Sequence, residues 1–375
     1  MRLIPTEEQR ELAATVRSFL ADRVPMRRVR EIAESDEPYD RTAWTRLSSE
    51  LGLAGLAVPE AHGGSGAGFG EVAAVLEELG AALTPVPYFS AVVAASLLVT
   101  LDAKDLLPGV ASGETVAVVA LPDGSDGSDG SGGEAPVGRI VDRGEWVLEG
   151  AVERVPDGPS ADLLLVAAST GEGRRGVFAV TADAPGLTVT PLASFDLTRP
   201  QARVELGGAP ARLLGMNEAG AASDAGAAID RTADVARVLL AAEQLGGMRR
   251  CLDVIVEYAK LRVQFGRFVG SFQGVKHKLA DMHCVLEQAE SVVRYAVWAA
   301  DEAPDELPEA AAFAASFMGR AHFQVAKDHL LLHGGIGFTW EHDAHLHYKR
   351  AKADELMLGS PRAHRARLAE ALGLT

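Results

Sequence analysis

The chain has 375 residues, 47% hydrophobic and 23% charged, enough for a sizeable core in two or three domains at roughly 150 residues each. Acidic residues outnumber basic ones 52 to 36, a net charge of −16, so the surface repels phosphate backbones and argues against a nucleic-acid partner. The only cysteines, Cys251 and Cys284, exclude a disulfide scaffold. No membrane-length apolar run or signal-like start is present, and the chain reads as cytoplasmic.

Three compositional zones follow in order: 1–111, 112–212 and 213–375. In the first, Thr6 is placed to cap a helix through Leu12, Val16, Phe19 and Leu20, which recur at helical spacing. A second helix is predicted over Arg41 to Leu51. A third runs from Gly70 to Leu79, with Gly80 as its stop. In the middle zone, short apolar runs such as Val116–Leu121, Leu163–Ala167 and Val177–Val180 alternate with turn residues. That pattern predicts a small antiparallel barrel or sandwich. Asp123 to Gly133, a Gly/Ser/Asp repeat, reads as a mobile loop. The last zone returns to helical period through Val235, Val238, Leu239, Ala242, Leu245 and Leu252. Further helices are predicted over Phe272–Ala300, Glu309–Leu332 and beyond Gly337, together a bundle.

Three segments then carry a resemblance. They are Gly52-Leu-Ala-Gly-Leu-Ala-Val-Pro-Glu60 with Gly63-Gly64 and Glu77-Glu-Leu-Gly80; Tyr258-Ala-Lys-Leu-Arg-Val-Gln-Phe-Gly266 with Ser271-Phe-Gln273; and His333-Gly-Gly-Ile-Gly-Phe-Thr-Trp-Glu-His342. In this order and spacing the chain resembles the acyl-CoA dehydrogenase family. The resemblance implies an α+β, mostly α fold: a helical domain, a small antiparallel β-barrel and a C-terminal four-helix bundle. It also implies FAD, an acyl-CoA substrate, a tetramer and an electron-transfer flavoprotein as acceptor. The family's reaction removes a proton from the carbon α to a thioester carbonyl, by a carboxylate, and a hydride from the β carbon.

Residue by residue, Arg262, Gln264 and Phe265 match the stretch that reaches the neighbouring subunit's FAD, and Gln273 the adenine-side glutamine. Gly334, Gly335 and Gly337 match the turn that lets backbone approach the cofactor. Asp234 and Arg237 reproduce an Asp-x-x-Arg spacing used for CoA. Elsewhere the pattern breaks. Where the family has a glutamine before the glycine turn, this chain has Leu331, and Leu121-Pro-Asp123 replaces a flavin-contacting segment. Arg154-Val-Pro-Asp157 stands where a tryptophan stacks on the flavin ring, and Trp146 reads instead as a strand core residue. The family's two positions for the catalytic glutamate fall on Leu358 and Ala236.

Glu243, seven residues beyond Ala236 and among apolar neighbours, is the candidate base; its alternative is a helix carboxylate paired with Arg249 or another cation. Glu355 reads as a surface partner of Lys352 and Arg350. Lys349, Arg350, Lys352, Arg362, Arg365 and Arg367 form a basic C-terminal cluster, read mainly as a solvated face. The crowd of His333, His342, His345 and His347 argues for no metal, since residues two apart on a helix face different ways. Three readings result. The first is a partner subunit of an α2β2 acyl-CoA dehydrogenase with an incomplete site of its own. The second is a self-sufficient homotetramer using Glu243, and the third a non-catalytic acyl-CoA-binding or interaction protein.

Overall fold

The computed structural model describes residues 3–121, 135–141, 145–215 and 225–374; the Asp123–Gly133 repeat lies outside them. The first helix, α1 (Glu7–Arg23), begins at a reciprocal cap: the Thr6 hydroxyl accepts from the Gln9 N–H, and the Gln9 side chain accepts from the Thr6 N–H. There follow α2 (Met26–Ala33), α3 (Arg41–Ser49), α4 (Phe69–Ala82), α5 (Tyr88–Thr100) and α6 (Leu107–Ala111).

Helix α4 does not stop at Gly80. It runs on to Ala82, and Leu83 in the left-handed region (φ 49°) terminates it. Gly80 serves packing instead. A Cβ there would fall 2.2 Å from the Glu243 carbonyl oxygen, and a Cβ at Gly246 would fall 1.8 Å from the Glu77 carbonyl oxygen. Two glycines thus let α4 and a later helix cross almost backbone to backbone. Helix α5 escapes a periodicity search because it is buried on nearly every side, so no polar stripe marks its face.

The sheet contains β1 (Ala117–Ala120), β2 (Val137–Ile140), β3 (Trp146–Pro156), β4 (Leu163–Gly171), β5 (Arg174–Thr181), β6 (Leu187–Pro191) and β7 (Gln201–Leu214). Strand β5 pairs with both β4 and β7, which closes the path into a barrel. The barrel is mainly antiparallel, with one departure: β1 and β2 both run parallel to β4. Trp146 is half-buried and meets the Phe178 ring edge-on at 5.3 Å.

The C-terminal bundle is built on α7, a 36-residue helix (Gly226–Leu261). With it pack α8 (Gln273–Glu302), α9 (Leu307–Leu332) and α10 (Ala344–Leu356). The single helix expected at the end is two. Leu358 (φ 61°) and Gly359 (φ 121°) break the chain, and Ser360 caps α11 (Pro361–Ala371). A two-stranded hairpin, β8 (Val263–Gln264) and β9 (Arg267–Phe268), joins α7 to α8. No described helix is long and apolar enough to cross a membrane.

Gly246→Ala should therefore destabilise the protein by about 1–3 kcal/mol or more, since a methyl there displaces backbone. Gly274→Ala, on α8 with nothing within 4 Å of an added Cβ, should be neutral or mildly stabilising. Thermal melts of the two variants test the contrast; equal shifts would show that the crossing has room.

Candidate active site and cofactor face

A cavity of about 610 Å³ opens where the three zones meet. Phe89, Ser90 and Val93 of α5 form one side and Val155, Pro156 and Ala168 of the barrel another. The loop Leu192–Phe195, then Ala233, Ala236 and Arg237 of α7, and Leu356–Leu358 after α10 complete it. Both positions matching the family's catalytic glutamate, Ala236 and Leu358, thus lie in this wall, and neither carries a titratable group. Arg154 and Leu358 both line the cavity with left-handed backbone (φ 54° and 61°). A bulky residue holds that conformation only where its surroundings impose it.

The cavity's charge opposes that of the chain. Its lining carries Arg154, Arg175, Arg237, Lys352 and Arg367 against one carboxylate, Asp230. Asp230 accepts from Arg175 at 2.7 and 2.8 Å. Arg237 donates to Asp234 at 2.7 Å, and both are buried. The expected Asp-x-x-Arg pair is therefore an internal contact, with only Arg237 reaching the cavity wall.

Glu243 does not line the cavity. It is 4% exposed, and Arg199 and Arg350 both donate to its carboxylate. The ion-pair alternative describes it, with Arg199 and Arg350 as the cations; Arg249 pairs instead with Glu77 at 2.9 Å. Arg350 also donates to Asp196 at 2.6 Å and Thr198 at 2.7 Å, while Arg199 reaches Asp354 at 3.3 Å. Burial pushes the Asp354 carboxyl up to about 7, opposed by Arg199 and Arg350. Beside this network, burial also raises the Asp157 carboxyl, opposed by Arg199; Ser90 donates to Asp157 at 2.7 Å. Arg350, expected on a solvated face, is thus a core residue. Glu355 does pair with Lys352, at 2.7 Å.

A second face forms at the far end of α7. The hairpin turns through Phe265 (φ 53°) and Gly266 (φ 75°), a two-residue turn with both central residues left-handed. Phenylalanine is unusual there, and it is 90% exposed. Arg262, Gln264 and Gln273 are also exposed. Tyr258 ties this hairpin to the glycine turn by donating to the His333 carbonyl at 3.3 Å. Gly334 has φ 67°, Gly335 has open space around it, and a Cβ at Gly337 would fall 2.4 Å from the Leu330 carbonyl oxygen. The structure therefore brings Arg262, Gln264, Phe265, Gln273 and the three glycines to one end of the bundle, apart from Asp234, Arg237 and Glu243.

Sequence reasoning missed Arg199, Asp196, Asp354, Asp157 and Ser90. The one signal was the compact Asp196-Leu-Thr-Arg199-Pro stretch, which sets an acid and a base three residues apart. Among the described residues, no group of three or more His, Cys, Asp or Glu side chains is arranged to hold a metal. Of the histidines, His322, His329, His333, His345, His347 and His364 are buried. Burial lowers His322 to about 3 with help from the Arg350 charge, His329 to about 3 with help from His333, and His364 to about 4 with help from Arg237.

A helical layer, a barrel and a bundle around one cleft define a class that the sequence comparisons identify. Residues 6–114 match the family model described as acyl-CoA dehydrogenase, N-terminal domain, and residues 225–373 the model for the C-terminal domain. The chain is 35% identical over 360 residues, 96% of each chain, to acyl-CoA dehydrogenase IpdE2 of Mycobacterium tuberculosis. It belongs to the acyl-CoA dehydrogenase family, flavin-dependent oxidoreductases. Among solved structures it is similar to the ChsE4–ChsE5 complex from Mycobacterium tuberculosis, at 30% identity and TM-score 0.89 over 100% of each chain. It is also similar to a variant of the Tcur3481–Tcur3483 steroid ACAD, at 33% identity and TM-score 0.85 over 98% of each.

Glu243→Gln should cost about 3 kcal/mol or more, because it leaves two buried guanidiniums short of a counter-charge; denaturant titration measures it, and an unchanged midpoint would show that the network is dispensable. Acidification should also destabilise. His322, His329 and His364 bind protons more weakly in the folded chain than in the unfolded one, so their stabilisation is lost as pH falls below about 6.5. The upward-shifted carboxyls Asp354, Asp157, Asp234 and Asp301 act in the opposite sense, but seven histidines are shifted downward against these four. The melting temperature should fall from pH 7.5 to pH 5; a rise would mean the carboxylates dominate.

Proposed function

We propose that this chain is the partner subunit of a heteromeric acyl-CoA dehydrogenase, acting in α,β-dehydrogenation of an acyl-CoA thioester with an incomplete site of its own. One observation carries the reading: both base positions, Ala236 and Leu358, face the cavity and are apolar. Removing the α proton needs a group that accepts it at hydrogen-bond reach. A methyl and an isobutyl group accept none, and Glu243 stands outside the cavity with its oxygens on Arg199 and Arg350. In this reading Glu243 anchors the core rather than serving as the base.

The residues divide in their fit to FAD. The exposed face of Arg262, Gln264, Phe265 and Gln273, with the turn of Gly334, Gly335 and Gly337, fits the adenosine half of a cofactor held mainly by another chain. Guanidinium donors suit a pyrophosphate, an amide reads an adenine edge, and a left-handed glycine lets backbone come close. The cavity of this chain does not fit the flavin ring: exposed Arg154 stands where the family places an aromatic platform. FAD, when bound, would supply the acceptor for the hydride of the β carbon, and Arg262, Gln264, Phe265 and Gln273 would hold its adenosine half. A chain that gives more to its neighbour's site than to its own belongs in an assembly of unlike chains, and the similarity to the ChsE4–ChsE5 complex supports that. A tetramer, an electron-transfer flavoprotein as acceptor, a cytoplasmic setting and domain limits near 112 and 213 belong to the same reading.

The chain purified alone should show little or no dehydrogenation of acyl-CoA thioesters, and co-expression with a co-encoded dehydrogenase-like chain should supply it. General-base catalysis is typically worth ~10²–10⁴ in rate, so the difference is large. Turnover by the chain alone that Glu243→Gln abolishes with the fold retained would overturn the reading and make Glu243 the base. In the assembled complex, Arg262→Ala should weaken flavin retention by about tenfold or more, the worth of one charge-assisted contact to phosphate. Unchanged retention would place Arg262 outside the cofactor face.

A further inference from the structure

Two histidine rings close the glycine turn at its base. His333 stands immediately before Gly334, and His342 lies past the turn, ahead of α10. Separated in the chain by the whole turn, the two rings meet with centroids 4.2 Å apart. His333 is buried and His342 half-buried, whereas Gly334 and Gly335 at the tip are exposed. A Cβ at Gly337 would fall 3.0 Å from the His333 Cβ, so the returning limb of the turn lies directly on this residue.

The pair is anchored from several elements. The Tyr258 and His329 rings, from α7 and α9, each stand 4.6 Å from His333, and Arg30 of α2 donates to the Trp340 carbonyl at 2.7 Å. Hydrogen bonds fix one tautomer of each ring. His333 donates through Nδ1 to the His329 carbonyl at 2.8 Å, and its buried Nε2 has no partner. His342 Nδ1 accepts from the Ala344 N–H at 3.1 Å. A second proton on His333 thus finds no acceptor, and one on His342 meets an N–H donor. Both rings fit only as neutral imidazoles.

The surrounding charges agree. Arg30 opposes a cation on His342, and Arg250 of α7 opposes one on His329 and His347 behind the pair. Asp343 favours a cation on His342, but its carboxylate is taken by Arg30 at 2.6 and 2.8 Å. Burial is the main cause that holds both rings below the ordinary histidine value. The neutral contact is therefore favoured above about pH 6.5 and is lost as pH falls below it.

We propose that His333 and His342 are positioning residues for the cofactor: their contact holds the glycine turn in the shape that meets the adenosine half of FAD, and protonation of the pair opens the turn and weakens flavin retention. The inference rests on the reading that this turn belongs to a cofactor face, and it adds a pH-sensitive staple to that face. Arg262 and Gln273 contact the cofactor in that reading, whereas the two histidines act through the backbone of Gly334 and Gly335.

The test is the FAD dissociation constant of the assembled complex, read from flavin fluorescence at pH 7.5 and pH 5.5, with circular dichroism of the same samples to separate release from unfolding. Freed of the contact, each histidine gains a proton by a factor of about ten at pH 5.5, so the affinity should fall about tenfold across that range. His342→Ala should weaken binding at pH 7.5 by a similar factor and flatten the pH dependence. His342→Phe keeps a ring without a titrating nitrogen. It should recover much of the affinity at pH 7.5 and hold more of it at pH 5.5 than the unaltered chain does. Arg262→Ala should weaken binding at both pH values with the slope unchanged. The inference is overturned if affinity is level or rises toward pH 5.5, if His342→Ala binds as the unaltered chain does, or if His342→Phe retains the full slope. If Arg262→Ala and His342→Ala both leave affinity unchanged, the cofactor-face reading falls and takes the inference with it; loss with Arg262→Ala alone overturns the inference and leaves that reading standing.

Discussion

The buried contact of Glu243 with Arg199 and Arg350 is the constraint on which the rest of the structure depends. Isolated charges removed from water cost several kcal/mol each, and pairing offsets that only where geometry and further hydrogen bonds are good. Here Asp196, Thr198 and Asp354 supply those bonds. The groups come from the loop before β7, from α7 and from α10, so one network fixes the barrel to the bundle. The same loop and helix end carry Phe195 and Leu356–Leu358 of the cavity wall. The cleft therefore has its shape because the ion network holds both of its sides.

This arrangement decides what Glu243 can do. A general base needs a lone pair turned toward substrate and an ionisation poised for exchange. Glu243 instead accepts from two guanidiniums deep in the core, one helical turn or more from the position where a base would meet a thioester. Its neighbours Gly246 and Gly80 belong to the α4–α7 crossing, where backbone fits against backbone. A carboxylate at such a crossing cannot swing outward without parting the helices.

Much of the fold was legible because it follows local rules. The Thr6–Gln9 cap, the helical period of α7 and the alternation of short strands with turns each state their structure in a few residues. Three features were not. Helix α5 is apolar on all sides, so the periodic signal vanished where burial was greatest. Gly80 reads as a stop because most glycines after a helical run are stops; only the partner helix shows it to be a contact. The parallel pairing of β1 and β2 with β4 depends on how the barrel closes. At the site, the apolar Ala236 and Leu358 were readable from motif spacing. Arg199 and Arg367 were not, because the meaning of an arginine lies in what it faces.

The two faces of the molecule follow opposite logics, and together they explain why the chain is built as it is. At the hairpin, Phe265 is held in a strained left-handed turn with 90% of its surface in water, its ring meeting that of Phe272 edge-on at 6.3 Å. Burial of the exposed part of that ring against a neighbouring chain would recover roughly 2 kcal/mol, in keeping with the assembly proposed above. At the cleft the positions that match the family's base, Ala236 and Leu358, are apolar, and cations outnumber carboxylates five to one in the lining. Under the partner-subunit proposal the hairpin, the glycine turn and a bundle stiff enough to present them are what the chain supplies, and the ion network at Glu243 provides the stiffness.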